Sequence, residues 1–142
     1  MDVHKDYICT DQDLQKFIKC DVFTPDDVSK LMVSKLHKYG NLLEPSVGCG
    51  NLLKHIDYDA YDIIDVYEIK KEYMEQIPHH NNINKHHCDF IKWKIETQYD
   101  NIVMNPPFIK MQDLSVDYRK YIKENFNVIN NGIVDIYYAF LF

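Results

Sequence analysis

The sequence predicts an α/β fold, in which helices cover both faces of a parallel sheet. Short apolar runs typical of buried strands alternate along the chain with stretches of helical periodicity. Such alternation implies right-handed crossovers between parallel strands. The 142 residues are enough for one domain, and an apolar fraction of 46% is typical of a globular protein. We therefore expect a single domain over residues 1–142.

Two helices are predicted within residues 1–40, ahead of the first strand. The first opens with Thr10–Asp13, which resembles a capping box. In the second, Thr24 suits the N-cap because its hydroxyl can accept from a free backbone amide, and Pro25 suits the first helical position because it has no amide to satisfy. Gly40 is the expected stop, since glycine readily adopts a left-handed conformation. Residues 1–40 are thus expected to flank the sheet as a helical segment.

Four strands and four further helices are predicted after this segment. The strands are 41–44, 63–68, 83–88 and 100–104. The helices are 51–56, 70–76, 113–126 and 133–142. Polar residues stand at or just past the ends of all four strands: Glu44, Glu68, Asp89 and Asn105. Because parallel sheets bind ligands at the carboxyl ends of their strands, this edge is the predicted site.

The most specific motif is Asn105-Pro106-Pro107-Phe108, which follows the last predicted strand. Two consecutive prolines fix φ and donate no hydrogen bonds, so the turn is stiff. It presents one amide side chain and free backbone carbonyls beside an aromatic ring. Such a set suits a planar substrate with an exocyclic amine, because the oxygens accept the amine hydrogens and the ring stacks on the plane. A proline-rich turn without a chemical role is the alternative.

The turn Gly48-Cys49-Gly50 predicts a cofactor site after the first strand. Glycines let the backbone approach a ligand, and Glu68 ends the next strand, where an acid can hold ribose hydroxyls. Two cofactor classes fit: a nicotinamide or flavin dinucleotide, and S-adenosylmethionine. Leu53 stands at the third glycine position of the dinucleotide fingerprint, which disfavours the first class. Glu44 would repel a pyrophosphate but attract the α-amino group of a methionine moiety.

Five short motifs in one order resemble the γ-type adenine-N6 DNA methyltransferases of restriction–modification systems. They are Phe23-Thr24-Pro25, Leu43–Gly50, Tyr67-Glu68-Ile69, Cys88-Asp89-Phe90 and Asn105-Pro106-Pro107-Phe108. The resemblance covers nearly the whole chain and implies a Rossmann-like, S-adenosylmethionine-dependent methyltransferase fold with a parallel sheet and N-terminal helices. That fold continues beyond four strands and is normally joined to a target-recognition domain. We expect this chain to hold only the first four strands and to lack that domain.

The resemblance also implies where S-adenosylmethionine binds. Glu68 would bind its ribose hydroxyls, Ile69 would pack on its adenine, and Asp89 would accept a hydrogen bond from the adenine amino group. The other expected cofactor-binding residues are Phe23, Thr24, Pro25, Glu44, Pro45, Gly48, Gly50 and Phe90. The structural alternatives are that Glu68 pairs with a lysine and that Asp89 caps a following turn.

By the same resemblance, Asn105, Pro106, Pro107 and Phe108 are the catalytic residues. The sulfonium methyl is already activated, so the obstacle is the adenine amino group, whose lone pair is delocalised into the ring. The Asn105 side-chain oxygen and the Pro106 carbonyl would accept its two hydrogens, and Phe108 would stack on the base. A base inside a duplex cannot reach this turn, so the expected partner is DNA with a flipped-out adenine.

Other kinds of site are disfavoured. His79-His80 and His86-His87-Cys88 fit no standard zinc spacing, so no metal is expected. No apolar run approaches the length of a membrane span, so we expect no membrane attachment. Cys9, Cys20, Cys49 and Cys88 are scattered without a CxxC spacing, which is typical of reduced thiols, so we expect a cytoplasmic location, or a nuclear or viral replication compartment. The formal net charge of −6 argues against a self-sufficient nucleic-acid binder.

Three functional hypotheses follow. The first is methyl transfer to adenine N6 in DNA by a fragment that needs a second polypeptide or a missing C-terminal part for target recognition. The second is methyl transfer to guanine N2 in RNA or to a protein glutamine, because related families use a similar Asn-Pro-Pro-aromatic turn. The third is an inactive fragment that binds the cofactor without turnover. We expect a largely complete cofactor site and weak or absent DNA methylation by this chain alone.

Overall fold

The computed structural model describes residues 11–19, 23–126 and 135–141, and they form an α/β fold around one parallel sheet. The strands are β1 (Asn41–Glu44), β2 (Ile63–Glu68), β3 (Ile83–His87) and β4 (Asn101–Ile102). Their spatial order is β3-β2-β1-β4, and every neighbouring pair is parallel. The predicted fold class is therefore confirmed, with each strand at its predicted place. Strand β4 is shorter than predicted, although Asp100 and Val103 extend its pairing to β1 by one backbone hydrogen bond each.

Four α-helices flank this sheet within the described residues. They are α1 (Asp11–Lys19), α2 (Asp26–Val33), α3 (Lys71–Met74) and α4 (Val116–Asn125). Single 3₁₀ turns lie at Leu53–His55, Tyr58–Ala60, Phe90–Lys92, Met111–Asp113 and Ile136–Phe140. The predicted capping residue Thr10 and parts of the predicted final helix lie outside the described residues.

Helix α2 corrects the prediction at both of its ends. Pro25 is its N-cap and makes no side-chain capping bond, because a proline side chain has no polar atom. The hydroxyl of Thr24, the predicted N-cap, accepts from Asn105. The helix ends at Val33 and not near Gly40. Gly40 adopts φ +70° in the turn into β1, where a Cβ atom would overlap the Asp100 carboxylate. This glycine therefore serves the strand entry and not the helix end.

Four other predicted helices differ from the structure in length or type. The one predicted at 70–76 is the shorter α3, Lys71–Met74. Residues 51–56 form only the 3₁₀ turn Leu53–His55, because Leu52 and Leu53 turn inward into the core and Ile56 is already extended. Helix α4 begins at Val116 with Ser115 as its N-cap. The described part of 133–142 forms the 3₁₀ turn Ile136–Phe140.

Two of the three apolar clusters among the described residues contain most of the buried side chains. The first cluster includes side chains of the central strands β1 and β2, among which Leu42, Ile64 and Val66 are fully buried. The second joins α1, α4 and the last turn around Phe17 and Ile122. Burying each such side chain contributes about 1.5–3 kcal/mol to folding. Phe17 of the second cluster also lines the cleft in which the candidate site lies.

Candidate active site

A cleft opens at the carboxyl ends of the strands. It is lined by nine residues that the sequence predicted for the site: Phe23, Pro45, Gly48, Glu68, Ile69, Asp89, Phe90, Asn105 and Pro107. The cleft therefore brings together the glycine turn, the acids that follow β2 and β3, and the Asn-Pro-Pro-Phe turn.

A smaller cavity of about 290 Å³ adjoins the cleft and shares Phe23, Ser46, Gly48 and Asn105 with it. Thr24 and Glu44 line this second cavity. Four predicted residues line neither space: Pro25, Gly50, Pro106 and Phe108. Among these, Pro25 caps α2 from an exposed position, while Gly50 is buried in the turn below the cleft.

The glycine turn depends on two left-handed backbone positions, with φ +55° at Gly48 and +85° at Gly50. A side chain at either position would be strained. The Gly48 amide donates to Glu68 Oε2 at 2.9 Å, so the turn also fixes the acid that follows β2. A Cβ atom on Gly48 would meet no protein atom within 4 Å, because this residue faces open space.

Glu68 is held by backbone amides on both of its oxygens. In addition to the Gly48 contact, Oε1 accepts from the Lys70 amide at 2.8 Å. The side chain is 8% exposed, and burial raises its pKa while these two amides oppose the rise. Each carboxylate oxygen keeps further acceptor capacity. Glu68 can therefore accept hydroxyl groups of a ligand from a fixed orientation.

Glu44 is the most unusual acid of the site. It is 1% exposed, and its Oε2 atom has no hydrogen-bond partner among the described residues. Burial, together with the nearby charge of Glu68, raises the pKa of Glu44 well above its ordinary value. A buried carboxyl group without a partner is costly, and a bound cation would relieve that cost.

Asp89 connects the cleft to α4. Its Oδ1 accepts from the Ile91 amide at 3.1 Å, so it does cap the following turn. Its Oδ2 accepts from the Tyr118 hydroxyl at 2.7 Å. Burial raises the pKa of Asp89 to about 6, and the Tyr118 bond acts against that rise. The capping role and a position on the cleft wall therefore coexist in one residue.

The Asn-Pro-Pro-Phe turn is attached to distant parts of the chain. Asn105 Nδ2 donates to Thr24 Oγ1 at 3.0 Å. After the turn, the Ile109 amide donates to Asp135 Oδ1 at 3.1 Å, and the Ile109 carbonyl accepts from Ile136 at 2.8 Å. Phe108 is 52% exposed, and its ring lies 5.9 Å from that of Tyr137.

Six cleft residues were not predicted from the sequence: Phe17, Ser46, Lys70, Tyr73, Cys88 and Phe140. The Phe140 ring stacks on Phe90 at 5.7 Å with an angle of 15° between the planes. Lys70 Nζ lies 4.8 Å from the Tyr73 ring centroid. Lys70 and Tyr73 lie two and five residues after the predicted end of strand 63–68, and this position could have identified them as cleft residues. Phe17 and Phe140 come from the two ends of the chain, and no local pattern points to them.

The histidine-rich segments do not form a metal site in the described part of the chain. No group of three or more His, Cys, Asp or Glu side chains there could hold an ion. His86 instead contacts Asp65 Oδ1 at 3.0 Å, while His87 contacts the Ile69 carbonyl at 3.1 Å. No described helix is both long enough and apolar enough to cross a bilayer.

Comparison with known proteins agrees with the motifs. Residues 28–142 match the Eco57I restriction-modification methylase family. The type II methyltransferase M.HincII of Haemophilus influenzae is 32% identical over 123 residues, and M.AccI of Acinetobacter calcoaceticus is 27% identical over 131. The match covers 84% of this chain in both cases. The resemblance to restriction–modification methyltransferases is thereby confirmed.

A solved structure agrees with the fold. A crystal structure of a protein assigned to the class I S-adenosylmethionine-dependent methyltransferases, from Listeria monocytogenes, superposes with a TM-score of 0.60 at 16% identity. The match covers 90% of this chain and 45% of that one. The present chain spans about a quarter of its curated relatives, 23% of M.HincII and 24% of M.AccI. On the family match and these relatives, the chain belongs to the Eco57I restriction-modification methylase family.

Proposed function

We propose that this chain carries the cofactor site and the catalytic turn of a DNA methyltransferase, which transfers a methyl group from S-adenosylmethionine to adenine N6. The observation that supports this most is that Asn105 lines the same cleft as Gly48 and Glu68. A turn suited to an exocyclic amine therefore faces a cleft suited to a nucleoside cofactor.

The polar groups of the cleft fit the chemistry of S-adenosylmethionine. The unpartnered, buried Oε2 of Glu44 suits the α-ammonium group. Glu68, fixed by two amides, suits the ribose hydroxyls. Asp89 can accept from the adenine amino group, and Ile69 and Phe90 supply apolar surface beside it. When bound, the cofactor supplies a methyl group already activated on a sulfonium centre.

The residues of the chain then act on the acceptor. The contact of Asn105 with Thr24 uses Nδ2. Its Oδ1 atom accepts no hydrogen bond from the described residues and is available to a ligand. This oxygen and the Pro106 carbonyl accept the two hydrogens of the adenine amino group, which turns the nitrogen lone pair toward the methyl group. They also stabilise the positive charge that develops on that nitrogen in the transition state. Because these two oxygens stabilise the transition state more than the bound substrate, they lower the activation barrier.

Phe108 receives the base. Its ring is half exposed beside the turn and can stack on a planar base without displacing the protein core. Flipping the adenine out of the duplex costs a few kcal/mol, which stacking and the two hydrogen bonds offset.

Two measurements test the proposal. Calorimetric titration with S-adenosylmethionine should show binding that weakens at least about tenfold in Glu68→Gln, because that change removes a charge from the hydroxyl site. Transfer of labelled methyl groups should place the label in DNA at adenine N6. Asn105→Ala should abolish that transfer while cofactor affinity stays within about twofold.

Different outcomes contradict different parts of this function. Binding of a nicotinamide dinucleotide in place of S-adenosylmethionine would refute the cofactor. Label in RNA guanine or protein glutamine would refute the substrate. An equal loss of binding and transfer in Asn105→Ala would remove the catalytic role of the turn.

A further inference from the structure

One side-chain bond joins the segment before α2 to the catalytic turn. Thr24 and Asn105 are 81 positions apart, yet Asn105 Nδ2 donates to Thr24 Oγ1 at 3.0 Å. Both residues line the small cavity beside the cleft. Thr24 is 8% exposed, so water has little access to its hydroxyl group.

Thr24 is itself held in place by its backbone. Its carbonyl accepts from Asn51 Nδ2 at 3.1 Å, and Asn51 directly follows the glycine turn. The same carbonyl accepts from the fully buried Ser29 hydroxyl at 3.4 Å. Pro25 restricts the Thr24 backbone further to extended conformations. The position of the Thr24 hydroxyl is therefore fixed jointly by α2 and by Asn51, which follows the glycine turn.

The direction of the Asn105 amide matters for the proposed chemistry. An asparagine side chain has a donor end and an acceptor end, related by a half rotation about its last bond. Only the acceptor end can receive a hydrogen from an amino group. In the reverse orientation, two N–H groups would face the substrate amine and repel it. The contact with Thr24 uses the donor end and leaves Oδ1 available. Because a threonine hydroxyl can accept or donate, the contact fixes the place of the amide, and the two N–H donors of the target amine favour the orientation with Oδ1 toward them.

We propose that Thr24 is a positioning residue for Asn105, which keeps the amide oxygen presented to the target amine. This inference rests on the proposed function and adds a role to a residue that the motif resemblance assigns only to the cofactor. Because Asn51 anchors Thr24 from the cofactor turn, the same contact ties the catalytic amide to the cofactor side of the cleft.

The test compares Thr24→Val, which removes the hydroxyl but keeps the shape, with Thr24→Ser, which keeps the hydroxyl. Thr97→Val makes the same change at an exposed position outside the cleft and is the matched control. In the ¹⁵N-labelled full chain, the side-chain amide signals of Asn105 are assigned by their loss in Asn105→Ala. Thr24→Val should move those signals, whereas Thr24→Ser and Thr97→Val should leave them in place.

A rate measurement tests the functional consequence. In single-turnover methyl transfer, Thr24→Val should slow the reaction at least about tenfold, because small misplacements of catalytic groups cost that much or more. Its affinity for S-adenosylmethionine, measured by titration, should stay within about threefold of the parent. Thr24→Ser should restore the rate. A role limited to lining the cofactor would move affinity and rate together.

Three results would overturn the positioning role: unmoved Asn105 signals in Thr24→Val, an unchanged rate, or a loss of affinity as large as the loss of rate. If Thr24→Val does not fold, Thr24→Ala is measured in the same comparison. If the parent chain transfers too little methyl group for a rate measurement, as its sequence leads us to expect, the amide signals of Asn105 decide the positioning role.

Discussion

The two sides of the cleft are built differently. The glycine turn follows β1 and Glu68 is the last residue of β2; these two strands occupy the middle of the sheet and each pair on both sides. The Asn-Pro-Pro-Phe turn follows β4, a two-residue strand that pairs only with β1 among the described strands. Ile102 on β4 is 55% exposed, whereas Ile64 on β2 is fully buried.

The polar groups of the two sides are also fixed in different ways. Glu68 is held by backbone amides of the glycine turn and of Lys70, two residues away. The Asn-Pro-Pro-Phe turn depends on the side chains of Thr24 and Asp135, which lie far from it in sequence. The proposed cofactor side of the cleft therefore owes its geometry to the backbone, while the proposed catalytic side owes its geometry to remote side chains. Substitutions far from the cleft should disturb catalysis before they disturb cofactor binding.

The largest expected effect tests whether the centre of the sheet contributes more to stability than its β4 edge. Ile64→Ala should lower the free energy of unfolding by about 2–5 kcal/mol, because it leaves a cavity in a fully packed core. Ile102→Ala removes the same atoms from an exposed position on β4 and should change the free energy of unfolding by about 0.5 kcal/mol or less. Urea denaturation of both variants measures the difference. Equal losses would mean that β4 is as well packed as β2.

A pair of glycines separates stability from binding. Gly40→Ala strains a left-handed residue and drives a methyl group into the Asp100 carboxylate, so unfolding free energy should fall by about 2 kcal/mol or more. Gly48→Ala has similar strain but no clash, so it should cost about 1–2 kcal/mol. Its added methyl group faces the cleft, and affinity for S-adenosylmethionine should fall at least about tenfold.

Denaturation and calorimetric titration of the two glycine variants should thus give opposite rankings. Gly40→Ala should be the less stable protein and keep its cofactor affinity. If Gly48→Ala bound S-adenosylmethionine as well as Gly40→Ala does, the glycine turn would not belong to the cofactor side of the cleft.

The parts of this architecture that were predictable are those with local signals. Strand β2 matched residue for residue because its apolar run is bounded by turns, and the glycine turn was evident because few glycines occur. The predicted helix at 51–56 failed because Leu52 and Leu53 are drawn into the core. There, tertiary packing overrode a local pattern.

Long-range contacts account for the rest. The Thr24 hydroxyl looked like a helix cap, and only the folded chain brings Asn105 to it. Tyr118 carries no signal of its contact with Asp89, because the two are 29 positions apart. Phe140 reaches the cleft from the last described turn. Sequence patterns therefore located the polar groups that line the cleft better than the groups that orient them.

Asp89 is the exception on the cofactor side, since a remote side chain holds one of its oxygens. Its pKa is raised by burial to about 6, from an ordinary value of 3.8, and the Tyr118 hydrogen bond opposes that rise. An ionised carboxylate accepts from an adenine amino group better than a neutral carboxyl does. Affinity for S-adenosylmethionine should therefore fall as the pH drops through about 6. Folding stability should change in the opposite sense, because the folded state favours the protonated form.

Tyr118→Phe should move this acid limb to higher pH, since it removes a bond that favours the ionised form. The expected loss of affinity is several-fold near pH 6.5 and smaller at pH 8, measured by calorimetric titration at both values. Glu44 and Glu68 also titrate in the cleft, but they are common to both proteins, so the comparison isolates Asp89. An identical pH profile in the variant would show that α4 only packs against the cofactor side. A shifted profile would mean that this side, too, depends on one distant hydroxyl group.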